Sequence, residues 1–233
     1  MAQVLTFLHT SPAHIPTFDR LVQAIDPTLE VRHVVNEPLL HEAQAAGEVT
    51  PGLAQRITGV ILAEIDKNPG VVLCTCSTIG PIAEKVNQVA PGKVVRVDRP
   101  MAEQAVTLGN RIVVLAALAI TFGPTRQLIQ EAADQAGKPV QIIELFCETA
   151  WPKFKQGDKT GYLREIAAYI ELAASRGDVI VLAQASMAGA EEYCQAPLDV
   201  PVLSSPRLGL EAAIRLLKQG PCPLIVPTRP QTT

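Results

Sequence analysis

Gly70-Val71-Val72-Leu73-Cys74-Thr75-Cys76-Ser77-Thr78-Ile79-Gly80-Pro81 is the stretch on which the fold turns. A valine-rich apolar run, bounded by Asn68-Pro69-Gly70 and by Gly80-Pro81, has the length of a β-strand buried on both faces. Pro81 suits the first residue of a helix with Ser77 or Thr78 near its N-cap, so Cys76 stands where a parallel strand hands over to a helix N-terminus. Ligands bind along that edge of open α/β sheets. The partial positive charge of a helix end also favours the thiolate, the reactive form of cysteine. Two readings of Cys76 stand at this point: a reactive thiol at a strand end, or one more small apolar residue in a core strand, the commoner fate of a free cysteine.

On either side of this stretch, apolar strands alternate with helical segments. Val4 to Leu8 is a first strand, and the loop from His9 to His14 leads to a helix near Pro16 whose Phe18, Leu21, Val22 and Ile25 follow helical spacing. Glu30 to Val35 is the second strand; a loop from Asn36 to Pro51 then precedes a helix carrying Leu53, Ile57, Val60, Ile61 and Ile65 on one face. A helix from Pro81 to Val89, a strand from Lys93 to Val97 and a helix from Met101 to Leu108 complete this half. Such alternation predicts parallel sheets covered by helices on both faces.

The second half repeats the first. Ile112 to Ala116 resembles Val4 to Leu8 (112 − 4 = 108), Pro124-Thr125 repeats Pro16-Thr17 (124 − 16 = 108), and Ile142-Ile143 falls on Val34-Val35 (142 − 34 = 108). Asp178 to Met187 overlays Gly70 to Ile79 at the same offset (178 − 70 = 108), and Leu203-Ser204-Ser205-Pro206-Arg207 matches Val97-Asp98-Arg99-Pro100-Met101. The expected fold is α/β: two flavodoxin-like lobes, each a four-stranded parallel sheet flanked by helices, related by internal duplication and pseudo-twofold symmetry, with the strand ends of both lobes lining one cleft.

Composition narrows the function. The 233 residues are 48% hydrophobic and 18% charged with a net charge of −3, too slight an imbalance to indicate binding to nucleic acid or to an anionic membrane. The start Met1-Ala2-Gln3-Val4-Leu5 has no basic segment of a secretion signal, and the apolar run from Ile112 to Ile120 is far short of the roughly 20 residues of a membrane span. A cytoplasmic protein is expected, with its five cysteines reduced. No pair of cysteines or histidines has metal-ligand spacing, so no metal is expected.

The two-lobed pattern with Cys76-Ser77-Thr78 after the third strand resembles the cofactor-independent aspartate/glutamate/hydantoin racemase superfamily, which also holds maleate cis-trans isomerases and arylmalonate decarboxylase. The resemblance covers nearly the whole chain, and Ser77 replaces the asparagine of the family's Cys-Asn-Thr motif. It implies a small carboxylic acid as substrate, a cysteine from each lobe beside its α-carbon, and hydroxyls and amides around its carboxylate. On that basis Cys76 is the catalytic candidate, and Thr10, Ser11, Ser77, Thr78, Thr121, Gln184 and Ser186 are the substrate-binding ones. The repeat puts Gln184, or Ala185 with a slip of one, where the second cysteine belongs. Neither is an acid or a base, and two-base racemisation needs both. A single thiol can still protonate a carbanion after decarboxylation or add to an activated double bond, with Gln184 donating to the developing oxyanion.

His14, whose ordinary pKa is near neutral, is either a second acid/base or a plain loop histidine, and His9 faces the same choice. Ser186 caps the next helix or contacts ligand; Thr10 and Ser11 hold a carboxylate or satisfy their own loop. Asp98-Arg99 joins the lobes or meets the substrate, and Trp151 and Phe154, placed in a loop, shield the cleft or simply pack. Residues 1–98 plus 206–233 are assigned to the first lobe and 99–205 to the second; the proline-rich tail from Gly220 is an extended strap or disordered. A homo-oligomer stays open. The alternative function is a non-catalytic protein that binds a small acid. An unrelated phosphate binder is disfavoured, since no strand is followed by a Gly-x-Gly-x-x-Gly or Walker-type loop.

Overall fold

The computed structural model describes residues 3–219, so the tail from Gly220 lies outside the described residues. Strands β1 (Val4–His9), β2 (Val31–Val35), β3 (Gly70–Cys74) and β4 (Val94–Arg96) form a parallel sheet in the order β2-β1-β3-β4. Strands β5 (Arg111–Ala116), β6 (Gln141–Phe146), β7 (Val179–Leu182) and β8 (Val202–Ser204) form a second parallel sheet in the order β6-β5-β7-β8. The chain thus folds as the two-lobed α/β architecture expected from its alternation.

The first sheet is covered on one face by α1 (Ile15–Ile25) and α9 (Ser205–Gln219), whose Phe18, Val22, Leu210 and Ile214 pack on Leu5, Phe7, Val71 and Leu73. On its other face lie α2 (Glu37–Ala46), α3 (Pro51–Lys67) and α4 (Gly80–Val89). The second sheet is sandwiched between α5 (Arg99–Leu108) with α6 (Phe122–Ala136) and α7 (Ala150–Lys155) with α8 (Lys159–Ala173). Burial on both faces explains why β3 and β7 read as unbroken apolar runs.

Ladder registers show which residues of the two sheets correspond. Leu8 pairs with Cys74 and Leu115 with Leu182, so the third strands match at 182 − 74 = 108 but the first strands at 115 − 8 = 107. Val31 pairs with Leu5 and Ile142 with Ile112, which puts the second strands at 142 − 31 = 111. The offset of 108 read from sequence for the first and second strands is thus corrected. Helix α6 has 15 residues and α1 has 11, and a longer crossover helix shifts the numbering while leaving the ladder untouched. The offset of 108 holds for β3/β7 and extends to β4/β8 through Val72↔Val94 and Ile180↔Val202, so Leu203 corresponds to Val95 and the sequence match of Leu203 with Val97 is corrected.

Three local expectations are corrected. Residues 37–46, read as loop, form α2: Pro38 sits in its first turn, Leu39, Leu40 and Ala43 are buried, and Gly47 closes it at φ +74°. Trp151 and Phe154 lie on the short helix α7 rather than in a loop. Helix α4 begins at Gly80 with Ile79 at the N-cap and no side-chain cap, so Ser77 and Thr78 do not cap it.

Gly80 is required by a neighbour. A Cβ there would lie 2.5 Å from Nε of Arg96, whose guanidinium fills the space beside the helix start. Buried Arg96 donates to both carboxylate oxygens of buried Asp98 at 2.6 and 3.2 Å, to Glu84 at 3.1 Å, and to the Pro124 carbonyl of the second lobe at 3.1 Å. Arg99 continues the network, joining Glu84 at 2.6 Å to Glu131 of the second lobe at 2.8 Å. Of the two roles open for Asp98-Arg99, the structure shows the joining of the lobes. Removing one partner from a buried ion pair strands the other charge at a cost of about 3–5 kcal/mol. Asp98→Ala is therefore expected to lower the free energy of unfolding by about that amount, measured by urea denaturation.

Candidate active site

The C-terminal strand ends of both sheets meet at one cavity of about 40 Å³ between the lobes. Thr10, Ser11 and His14 reach it from the segment after β1; Cys76, Ser77 and Thr78 from the β3–α4 loop; Thr121 from the turn after β5; and Gln184 and Ser186 from the segment after β7. The structure therefore brings Cys76, His14 and the seven substrate-binding candidates to one place, while His9, Asp98 and Arg99 do not line the cavity. Leu40, Thr75, Leu118, Trp151, Phe154 and Ala185 complete the lining. Leu40 was missed with α2, although Leu39, Leu40 and Ala43 recur at helical spacing. Thr75 was missed because a hydroxyl at a strand end carries no motif.

Several of these side chains are already engaged. Ser77 donates its hydroxyl to the Ala183 carbonyl of the other lobe at 2.9 Å. Ser11 is the N-cap of the 3₁₀ turn Pro12–His14 and accepts from the Ala13 amide at 3.3 Å. Ser186 shares a 2.8 Å hydrogen bond with the Tyr162 hydroxyl rather than capping a helix. Gln184 is the most informative. Its Oε1 accepts from the backbone amides of Ala117 at 2.6 Å and Leu118 at 3.0 Å, filling a pair of donors at the end of β5.

Cys76 is 8% exposed and packs with Cys74, Ile79 and Ile82. Both Cys74 and Cys76 thus face the α3 and α4 side, as two residues apart on an extended segment must. Burial pushes the Cys74 thiol up to about 12, so it stays protonated, and its Sγ donates to the Cys76 carbonyl at 3.8 Å. Burial lowers His14 to about 4, while burial and the neighbouring His14 and His33 lower His9 to about 3, so both imidazoles are neutral near pH 7. Trp151 and Phe154 stack at 4.6 Å and give the polar strand ends an apolar wall. Among the described residues, no group of three or more His, Cys, Asp or Glu could hold a metal ion, and no helix is long and apolar enough to cross a membrane.

Two parallel α/β lobes with a cysteine at a strand end lining the cavity between them define a class of two-lobed, cleft-forming proteins. Within that class, the family model described as Asp/Glu/Hydantoin racemase matches residues 8–213, and the chain belongs to that family. No curated protein matches it. Solved structures share the fold at low identity. The aspartate racemase of Picrophilus torridus is 15% identical over 93% of this chain and 95% of its own, with a TM-score of 0.70. Glutamate racemase from Francisella tularensis subsp. tularensis SCHU S4, in complex with D-glutamate, is 15% identical over 93% of this chain and 81% of its own, with a TM-score of 0.68. The Gly74Cys mutant of arylmalonate decarboxylase in its sulfate-associated form is 14% identical over 93% of this chain and 94% of its own, with a TM-score of 0.55.

The two depressed histidines carry a stability consequence. An unfolded histidine titrates near 6.5, so below that pH the unfolded chain binds more protons than the folded one, and stability falls as pH drops. Each buried imidazole contributes up to about 2 kcal/mol of loss between pH 6.5 and 5. His14→Gln is expected to flatten this fall by up to that amount, measured as the difference in urea unfolding free energy between the two pH values.

Proposed function

We propose that this protein is a one-thiol member of its family, an isomerase or lyase acting at the α-carbon of a small carboxylic acid, with Cys76 as base, proton donor or nucleophile. The observation that supports the reading is the shared cavity: Cys76 of one lobe lines it together with polar residues of both, at the strand ends where such folds bind ligands. Thr10, Ser11, Thr78 and Thr121 supply hydroxyls for the carboxylate. Because Oε1 of Gln184 is taken by two amides, its NH2 is the end left for the cavity, where it donates to an oxygen that gains charge in the transition state. His14, neutral and on the cavity wall, is a base able to work with the thiol. The lobes are taken as residues 1–98 with 206–233 and as 99–205, a division supported by the packing of α9 on the first sheet and α5 on the second. The described cysteines are unpaired, which fits a reducing cytoplasm.

A second reading, a binding protein that takes up a small acid without turnover, is favoured by Gln184 at the position of a second thiol. Incubation in deuterated water with amino acids, hydantoins, malonates and maleate, followed by NMR, separates the two. The enzyme reading expects proton exchange, isomerisation or release of carbon dioxide from at least one acid, reduced about 100-fold or more in Cys76→Ala. Binding that survives Cys76→Ala, without turnover of any acid, selects the binder.

Gln184→Glu tests the orientation of that side chain. A carboxylate still accepts from the Ala117 and Leu118 amides, so stability is expected to hold, while the lost donors and added negative charge abolish binding of an acid. Undiminished acid binding, measured by calorimetry, removes Gln184 from the ligand site.

A further inference from the structure

A chain of side chains runs from the cavity to the surface. Thr75, beside Cys76 on the cavity wall, lies 2.8 Å from Nδ1 of His9 through its Oγ1; Nε2 of His9 lies 2.8 Å from Nδ1 of His33; and Nε2 of His33 lies 2.9 Å from Oδ1 of Asp19. His9 is fully buried, His33 partly so, and the Asp19 side chain is 52% exposed. Phe7 and Phe18 enclose the histidines with apolar surface, and the His9 and His33 rings lie within 10° of parallel.

Counting protons along this chain leaves two arrangements with the same heavy-atom positions. In the first, the Thr75 hydroxyl donates to the Leu8 carbonyl at 3.0 Å, His9 Nδ1–H donates to Thr75, and His33 donates through both nitrogens, to His9 and to Asp19. His33 is then a cation paired with Asp19. In the second, His33 is neutral and donates only to Asp19, His9 Nε2–H donates to His33, and the Thr75 hydroxyl turns to His9 Nδ1. The Leu8 carbonyl keeps the Thr75 amide at 3.1 Å, so neither arrangement strands a buried polar group. The two differ by one proton.

We infer that Thr75, His9, His33 and Asp19 form a proton relay between the cavity beside Cys76 and solvent, with His9 changing tautomer as one proton passes. Inward transfer moves three protons one place each. Thr75 gives its hydroxyl proton to a basic atom in the cavity and receives one from His9 Nδ1, His9 Nε2 receives one from His33 Nδ1, and His33 ends neutral. Outward transfer reverses each step. The charge change falls on His33, next to the Asp19 carboxylate, and His9 stays neutral throughout, in keeping with the burial that depresses its basicity. The groups facing the relay are Asp19 of α1 and His14 of the 3₁₀ turn, whose ring centroid lies 6.2 Å from that of His9. Arg32, one residue along β2, instead pairs with Glu64 of α3. His9, His33 and Asp19 are positioning residues here; none of them lines the cavity.

The inference uses the cavity but not the chemistry proposed for it, and its test needs no substrate. Long-range proton–nitrogen NMR of the protein labelled with ¹⁵N-histidine, taken between pH 5 and 8.5, reads tautomer and charge separately. The proton of His9 is expected on Nδ1 at low pH and on Nε2 at high pH, exchanging at the pH where His33 loses its charge, with His9 never doubly protonated. In His33→Gln the His9 tautomer is expected to be the same at every pH; in Asp19→Asn, an exposed substitution that leaves the core untouched, the exchange is expected to move to lower pH. An unchanged His9 tautomer across the His33 transition, or a doubly protonated His9 in that range, overturns the relay. An exchange unmoved in Asp19→Asn does so as well.

Discussion

The buried guanidinium of Arg96 is the contact on which the rest of the arrangement depends. It ends β4, fills the space left by Gly80 at the start of α4, and donates across the cleft to the Pro124 carbonyl. Such a group is tolerated inside a protein only when its donors are met, and Asp98, Glu84 and Pro124 meet them. Any shift of one lobe against the other must stretch or break the charge-assisted bond from Arg96 to the Pro124 carbonyl. The cavity lies next to this joint, with the Cys76 loop running from β3 into the helix that Arg96 supports.

Between the lobes the protein's own groups occupy part of what a ligand would use. The two ends of the cavity are matched in backbone and opposed in chemistry: a thiol on one side, a carboxamide on the other. Gln184 spends its oxygen on the Ala117 and Leu118 amides, and Ser77 spends its hydroxyl on Ala183. Both bonds satisfy backbone groups at strand ends that would otherwise face the cleft unpaired, and the Ser77 bond also ties one lobe to the other. The second lobe therefore has a carboxamide where the first has a thiol, which is why the chemistry proposed rests on a single thiol.

Much of the fold was legible in the residues from Gly70 to Pro81, because a strand buried on both faces has to be apolar throughout and has to be punctuated by glycine and proline. The correspondence of Cys76 with Gln184 was legible because each lies two residues past the end of its strand, β3 or β7. Where the offset failed most, at β2/β6, a longer crossover helix had changed the count. Helix α2 went unread because its Pro38 looks like a breaker until it is placed in the first turn, where its missing amide costs nothing. The site residues were legible as strand-end polar groups. Their hydrogen bonds were not, since Ser77–Ala183 and Gln184–Ala117 join residues whose meeting depends on how the lobes face each other. The His9–His33–Asp19 chain lay half-hidden: register sets His33 beside Phe7, two residues from His9 on the same face of β1, but only coordinates show the rings edge to edge.

One more consequence follows from the wall of the cavity. Trp151 is the single tryptophan of the chain, it is stacked on Phe154, and it stands where the core of the second lobe meets the cavity. The emission of an indole shifts in wavelength and yield with the polarity and mobility of its surroundings, so the protein's tryptophan emission, excited apart from its three tyrosines, comes from one known position beside the cavity. Entry of a small acid, expulsion of cavity water or a change in the angle between the lobes all alter the light from that one ring. The molecule thus carries its own optical probe at the place where its ligand is expected, with no dye to attach and no second indole to confuse the signal.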